Sequence, residues 1–311
     1  MSHPSPFKTP AGEAKFRAAY DAALKLWPVP YEELDIPTRF GVTHVVAAGA
    51  MTAPALVLLH GYMATSVMWS PNVADFAKSY RVYAVDIMGQ PSKSTPEEPV
   101  RHAADYVAWL TDTFDALHLH RACLVGMSYG GWLALTFVIA APERVSRLVL
   151  LSPGGLLPLV RQFILRGMLM TYFPTHLTVS SFMHWAGFTD ASGGADAKPV
   201  LNLMYLGQKH FQMPPDTLRV AAKAADGLSD DDLRALRVPV LLLIGDDEVL
   251  YDASTALARA RRLIPDFEGD LIPRCRHDMC FSQSRIVDAR VLDFLKKTND
   301  KRGGTEQRSV A

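Results

Sequence analysis

The stretch Gly126-Met-Ser-Tyr-Gly130 constrains this chain more than any other. Arg121-Ala-Cys-Leu-Val125 before it is short and apolar and reads as a buried strand. Gly131-Trp-Leu-Ala-Leu-Thr-Phe-Val-Ile-Ala-Ala141 after it reads as a helix that stops at Pro142. Gly-x-Ser-x-Gly between a strand and a helix describes a tight, strained turn. The residues two before and two after the serine must lack bulk, and Gly126 and Gly130 meet that need. Ser128 then projects from the top of a sheet, at the positive end of a helix dipole. Alone, the pattern also describes an ordinary glycine-rich turn, so the rest of the chain must supply the partners a reactive serine needs.

The flanking segments supply a frame. Ala55-Leu-Val-Leu-Leu59 is a continuous apolar run, as in a parallel strand covered on both faces. Tyr80–Val85, the run before Ser128, Val145–Leu151 and Val238–Ile244 repeat that character, with helical segments between them. Helices are expected over 66–79, 102–118, 254–264 and 282–297, and a last short strand around Asp270–Ile272. Steady alternation from residue 55 predicts a doubly wound, mostly parallel sheet. Sites in such sheets lie at the carboxyl ends of strands, where His60, Asp86 and Ser128 all fall. Upstream, residues 11–27 read as an amphipathic helix, and Tyr31–Ala48 as two edge-type strands split near Thr38–Gly41. From Ser152 to Leu236 the alternation gives way to a helical, methionine- and aromatic-rich stretch, interrupted at Gly193-Gly194. The expected organisation is therefore an N-terminal helix extension (1–30), a core in two parts (31–152 and 237–297), an inserted helical cap (153–236) and a polar tail (298–311).

The 311 residues carry 32 basic and 32 acidic side chains, so nothing in the net charge points to nucleic acid or to an anionic membrane. No apolar run is long enough to span a bilayer, and the first ten residues lack the apolar core of a signal peptide. Cys123, Cys275 and Cys280 show no disulfide spacing, which fits a reduced, cytoplasmic protein. Neither a Gly-x-Gly-x-x-Gly nor a metal-ligand spacing occurs, so no cofactor and no metal is implied.

A serine hydroxyl is a poor nucleophile at neutral pH and needs a base. Of the ten histidines, His277 follows the last expected strand and precedes the closing helix. It is the expected base; His60 competes by position but precedes the serine and suits an oxyanion segment better. The base needs a carboxylate to orient it. Gly245-Asp-Asp-Glu-Val-Leu-Tyr-Asp252 offers four. Glu248, three past the glycine, is preferred, with Asp247 and Asp246 as alternatives and Asp252 as the cap of the next helix. Leu151-Ser152-Pro153 after the elbow strand offers no carboxylate. Two backbone N–H groups must meet the developing oxyanion. Tyr129 follows the serine, and Tyr62 lies in His60-Gly61-Tyr62, where Gly61 is expected to allow close backbone approach. Asp86 is expected to fix a turn.

In this order, His60-Gly61-Tyr62, Asp86-x-x-Gly89, Gly126-x-Ser128-x-Gly130, the Gly245–Tyr251 turn and His277 resemble the α/β-hydrolase superfamily. More narrowly, Leu26-Trp27-Pro28, Thr38-Arg39-Phe40-Gly41, Tyr83-Ala-Val-Asp86-Ile87 and Gly245-x-x-Glu248-Val249-x-Tyr251-Asp252 look like bacterial carboxylesterases of the naproxen-esterase type. The resemblance implies an α/β-hydrolase fold, an esterase acting on small, fairly apolar esters, and a glutamate at position 248. Most relatives carry the shorter aspartate there, so the loop is expected to sit slightly back. A lactonase, thioesterase, carbon–carbon hydrolase or perhydrolase would use the same parts. A small-molecule binding protein could reuse the fold without catalysis. A dehalogenase of this fold is disfavoured, because it needs a carboxylate where Ser128 stands.

Overall fold

A computed structural model describes residues 5–188 and 194–297, without the side chains of 194–197. The expected polar tail lies outside the described residues, as does Gly193. Thr9 caps the first helix, α1 (Pro10–Leu24), through its side chain, with Pro10 in the first turn. The expected helix ran on to residue 27; the observed one stops before the Pro28 and Pro30 breakers. Strands β1 (Tyr31–Thr38) and β2 (Gly41–Ala48) follow as an antiparallel hairpin. Of these two, only β1 lies at the sheet edge, because β2 also pairs with β4 (Arg81–Val85), which separates it from β3 (Ala55–Leu59).

The remaining elements are α2 (Ser70–Phe76), the two-residue β5 (Thr95–Pro96), α3 (Ala103–Ala116), β6 (Ala122–Met127), α4 (Tyr129–Ala140) and β7 (Val145–Leu151). Then come α5 (Arg161–Tyr172), α6 (His176–Trp185), α7 (Gly194–His210), α8 (Pro215–Asp226) and α9 (Asp230–Arg234), with no strand among the described residues between them. Strand β8 (Val240–Gly245), α10 (Ala253–Leu263), β9 (Phe267–Ile272), α11 (Met279–Ser282) and α12 (Ser284–Lys296) close the domain. The helix expected over 66–79 begins as a 3₁₀ turn, Ser66–Trp69, capped by Thr65.

The sheet order is β1-β2-β4-β3-β6-β7-β8-β9, with β5 paired to β2. Every pair from β4 to β9 is parallel. Side chains alternate across it with a period of two. Leu56 and Leu58 face one layer with Phe16, Val73, Phe76 and Val291. Val57 and Leu59 face the other with Trp109, Phe114, Leu133 and Ala260. Both faces are therefore covered, and the central strands are apolar throughout. The carboxyl ends of β4, β3, β6, β7, β8 and β9 stand in a row, releasing Asp86, His60, Ser128, Ser152, the Asp246–Glu248 turn and the His277 loop along one edge.

The N-terminal segment ties one helix of the inserted stretch to this frame. Gln212 N donates to Pro6 O and Lys8 N to His210 O, each at 2.8 Å. The Phe7 ring packs on Phe16 at 5.2 Å and edge-on to Phe211 at 5.3 Å. Helix α7 is thus clamped to α1.

Candidate active site

Ser128 sits at φ 53°, ψ −115°, a left-handed backbone that a non-glycine residue adopts only under constraint. The constraint comes from both sides. Ser128 N donates to Leu151 O at 3.0 Å, and Ser128 O accepts from Trp132 N and Gly154 N. A Cβ on Gly126 would meet Gly130 O at 2.4 Å, and one on Gly130 would meet Leu59 O at 2.3 Å. Both distances are well inside contact, so the turn closes only with glycine at each position.

Glu248 and His277 meet at the far end of the row. His277 Nδ1 lies 3.1 Å from each carboxylate oxygen of Glu248. The Glu248 side chain is 0 % exposed. Its Oε1 also accepts Val249 N at 2.7 Å and Leu250 N at 3.1 Å. Burial pushes this carboxyl up, but the His277 imidazole, the hydrogen bond to it and the Leu250 amide outweigh burial and hold it below the usual glutamate value. Ser152, fully buried at φ 40°, lies beside the carboxylate and adds to the lowering, although its hydroxyl makes no hydrogen bond of standard geometry among the described residues. With Nδ1 committed to Glu248, the other ring nitrogen, Nε2, is left for a substrate-side proton. His277 and Ser128 line one cavity.

The competing carboxylates go elsewhere. Asp247 is 70 % exposed and pairs with Arg276 at 2.7 Å. Asp246 accepts Cys275 N at 3.3 Å. Asp252 caps α10 by accepting Thr255 N at 2.7 Å, which with Ser254 draws its pKa down to about 2. The turn carrying Glu248 approaches the His277 loop closely, since a Cβ on Gly245 would lie 2.3 Å from Arg276 O.

His60 is excluded as a base by its hydrogen bonds. Its Nε2 accepts Ile87 N at 2.9 Å, so Nδ1 carries the proton and donates to Gly61 O at 2.8 Å. Burial lowers its pKa, which keeps the ring neutral. His60 therefore ties the loop after β3 to the loop after β4. Asp86 stands where a turn-former was expected: it accepts Ser66 N at 2.8 Å and Lys93 N at 3.1 Å.

Several donors of the loop after β3 are taken up within the protein. Gly61 N donates to Met68 Sδ, Met63 N to Gln90 Oε1 and Ala64 N to Gly61 O. Among the described residues the N–H of Tyr62 meets no acceptor, and neither does that of Tyr129. Gly61 does not have the steric duty expected of it. A Cβ there would lie 3.6 Å from Ser128 Cβ, an ordinary contact, so the loop is close to the serine but does not require glycine for space. Gln90, which positions this loop through Met63, escaped sequence reasoning; its place in the polar segment after Asp86 was the only signal.

The cavity has a volume of about 300 Å³. No Asp, Glu, Lys or Arg lines it among the described residues, and its walls include Met68, Met127, Met168, Met170, Met183 and Met204. Helices α5 to α8 contribute much of that wall. Flexible thioether walls adapt to ligands of varied shape.

Comparison with known proteins agrees with this architecture. The family model described as "Alpha/beta hydrolase family" matches residues 56–289. An uncharacterized carboxylesterase, nap, of Bacillus subtilis (strain 168) is 38% identical over 287 residues, covering 90% of this chain and 92% of that protein. Carboxylesterase YbfK of the same organism is 34% identical over 286 residues, covering 90% and 93%. The crystal structure of naproxen esterase (carboxylesterase NP) from Bacillus subtilis superposes with a TM-score of 0.84 at 34% identity, over 93% of this chain and 100% of that one. With its mostly parallel sheet, its serine elbow and a family match across most of its length, the chain belongs to the alpha/beta hydrolase family.

Proposed function

We propose that this protein is a serine carboxylesterase that cleaves small, neutral, apolar esters through an acyl-enzyme. The observation that carries the reading is the buried His277–Glu248 pair, opening on the cavity that also holds the strained Ser128. Ser128 Oγ attacks the ester carbonyl while His277 Nε2 takes its proton. Glu248 steadies the imidazolium so formed. The N–H groups of Tyr62 and Tyr129 receive the oxyanion. The C–O bond to the leaving alcohol then breaks as His277 returns the proton to it. Water, deprotonated by the same imidazole, attacks the acyl carbon and releases the acid and free Ser128.

The organisation belongs to the same reading. Residues 153–236 act as a cap over the strand ends, residues 1–30 as an extension that anchors it, and 31–152 with 237–297 as the catalytic core. A cavity without charged walls favours uncharged substrates, because an unpaired ionic group would be desolvated there. No helix among the described residues is long and apolar enough to cross a membrane. A cytoplasmic location is part of the proposal; it is supported by three buried free cysteines, Cys123, Cys275 and Cys280.

Initial rates on p-nitrophenyl acetate, butyrate, octanoate and palmitate, beside Ser128→Ala, test the proposal. Serine-dependent turnover favouring the shorter chains is expected. Folded protein with no turnover on any of them would overturn it.

A further inference from the structure

The inserted helices carry an apolar surface that the proposed chemistry does not use. Most of the exposed large apolar side chains among the described residues fall between Val160 and Leu177. Leu177 is 78 % exposed, Tyr172 70 %, Phe173 63 % and Leu165 60 %. Helix α5 buries only Met170 of its twelve residues. Ile164, Met168 and Tyr172 are both exposed and part of the cavity wall, so this surface is continuous with the cavity mouth. Isolated exposed apolar residues are common, but a contiguous group at a cavity mouth marks a contact surface.

Charge narrows the choice of occupant. No Asp or Glu occurs between Glu143 and Asp190. Arg161, Arg166, His176 and His184 lie in that span, and Arg166 stacks over Trp185 at 5.0 Å. No carboxylate pairs with Arg161 or Arg166 among the described residues. In a two-fold dimer through this face, each patch would meet its own copy, and cations would face cations with no acid between them. An anionic, apolar surface suits the patch better: apolar side chains enter the acyl boundary while the arginines meet headgroup phosphates.

We propose that the α5–α6 face docks on anionic lipid surfaces and presents the cavity mouth to apolar esters dissolved there. Although the formal charge of the whole chain is zero, the segment that forms α5 and α6 carries basic groups and no Asp or Glu. Docking does not depend on the serine chemistry, so it can be read on the inactive protein.

The test is co-sedimentation of Ser128→Ala protein with phosphatidylcholine vesicles, with and without phosphatidylglycerol. It is repeated for a variant carrying Leu165→Gln, Leu169→Gln and Leu177→Gln, none of which lines the cavity. The expected result is binding that increases with phosphatidylglycerol, falls with salt, and weakens by about tenfold or more in the triple variant at an unchanged circular dichroism spectrum. Arg161→Gln should lower the phosphatidylglycerol dependence and leave the residual binding to phosphatidylcholine in place. The proposal is overturned if neither vesicle type binds, or if the triple variant binds as well as its parent. It is overturned in favour of a second copy if light scattering shows a dimer that the triple variant breaks while no vesicle binds. Failure here would leave the esterase reading intact, since that is judged on soluble esters.

Discussion

Replacing Glu248 by glutamine isolates one electrostatic interaction with little change of shape. In the native site Oε1 accepts both Val249 N and Leu250 N. The amide oxygen of a glutamine must stay there, because the amide nitrogen cannot accept. The –NH₂ group then occupies the Oε2 position, 3.1 Å from His277 Nδ1. That amino group can donate to Nδ1, while the one oxygen left for the Nδ1–H, also at 3.1 Å, is already shared by two backbone amides, so the tautomer with its proton on Nε2, the atom proposed to accept the Ser128 proton, gains ground. The variant weakens the working tautomer of the proposed base and loses the negative charge that would stabilise the imidazolium. Comparable losses lower kcat by about 10³- to 10⁴-fold, or roughly 4 to 5.5 kcal/mol of barrier. The assay is kcat on p-nitrophenyl butyrate, with circular dichroism to confirm the fold. Asp247→Asn is the control, because an exposed ion pair contributes at most about 1 kcal/mol to stability and does not touch the imidazole. Glu248 is not the orienting carboxylate if Glu248→Gln keeps a tenth or more of the activity, or if Asp247→Asn is the variant that loses it.

Three further outcomes follow from the same geometry. Gly130→Ala drives a Cβ onto Leu59 O and should cost about 1–3 kcal/mol or more in urea unfolding, with loss of activity in whatever folds. His60→Phe leaves Ile87 N without its acceptor, and should lower stability by about 1–3 kcal/mol while slowing turnover through displacement of the Tyr62 loop. Asp288 is buried, with Oδ1 accepting Asn72 Nδ2 at 2.8 Å and Oδ2 unpartnered among the described residues, and burial raises its pKa to about 7. The native state therefore keeps a proton that the unfolded chain releases, and stability falls as pH rises from about 4 to about 7. Asp288→Asn should flatten that slope, raising Tm at pH 8 and leaving it nearly unchanged at pH 4; equal shifts at both values would contradict the assignment.

What the sequence could reveal follows the reach of local chemistry. The sheet was legible because strands covered on both faces must be apolar throughout, as Ala55–Leu59 and Val240–Ile244 are. Ser128 was legible because the elbow's steric demand is written into Gly126 and Gly130. The row of strand ends then made His277 a reasonable base. Position three past Gly245 already favoured Glu248 over Asp246 and Asp247, and what separates it from them in the structure is its burial beside His277. The roles of Gln90 and Ser152 arise between loops far apart in sequence, and no spacing encodes that. The apolar α5–α6 surface was hidden for a related reason: helical spacing shows that a face is apolar, but not whether anything covers it. Gly61 shows the opposite error, where a glycine in the right place was given a steric duty that the space around it does not impose.

Ser128 is proposed as the nucleophile, activated by His277. The most direct measurement is intact and peptide mass spectrometry after brief exposure to diethyl p-nitrophenyl phosphate. A single diethylphosphoryl adduct is expected on the peptide containing Ser128, absent from Ser128→Ala and formed far more slowly in His277→Ala. An adduct on another residue, or ester hydrolysis that survives Ser128→Ala, would contradict it.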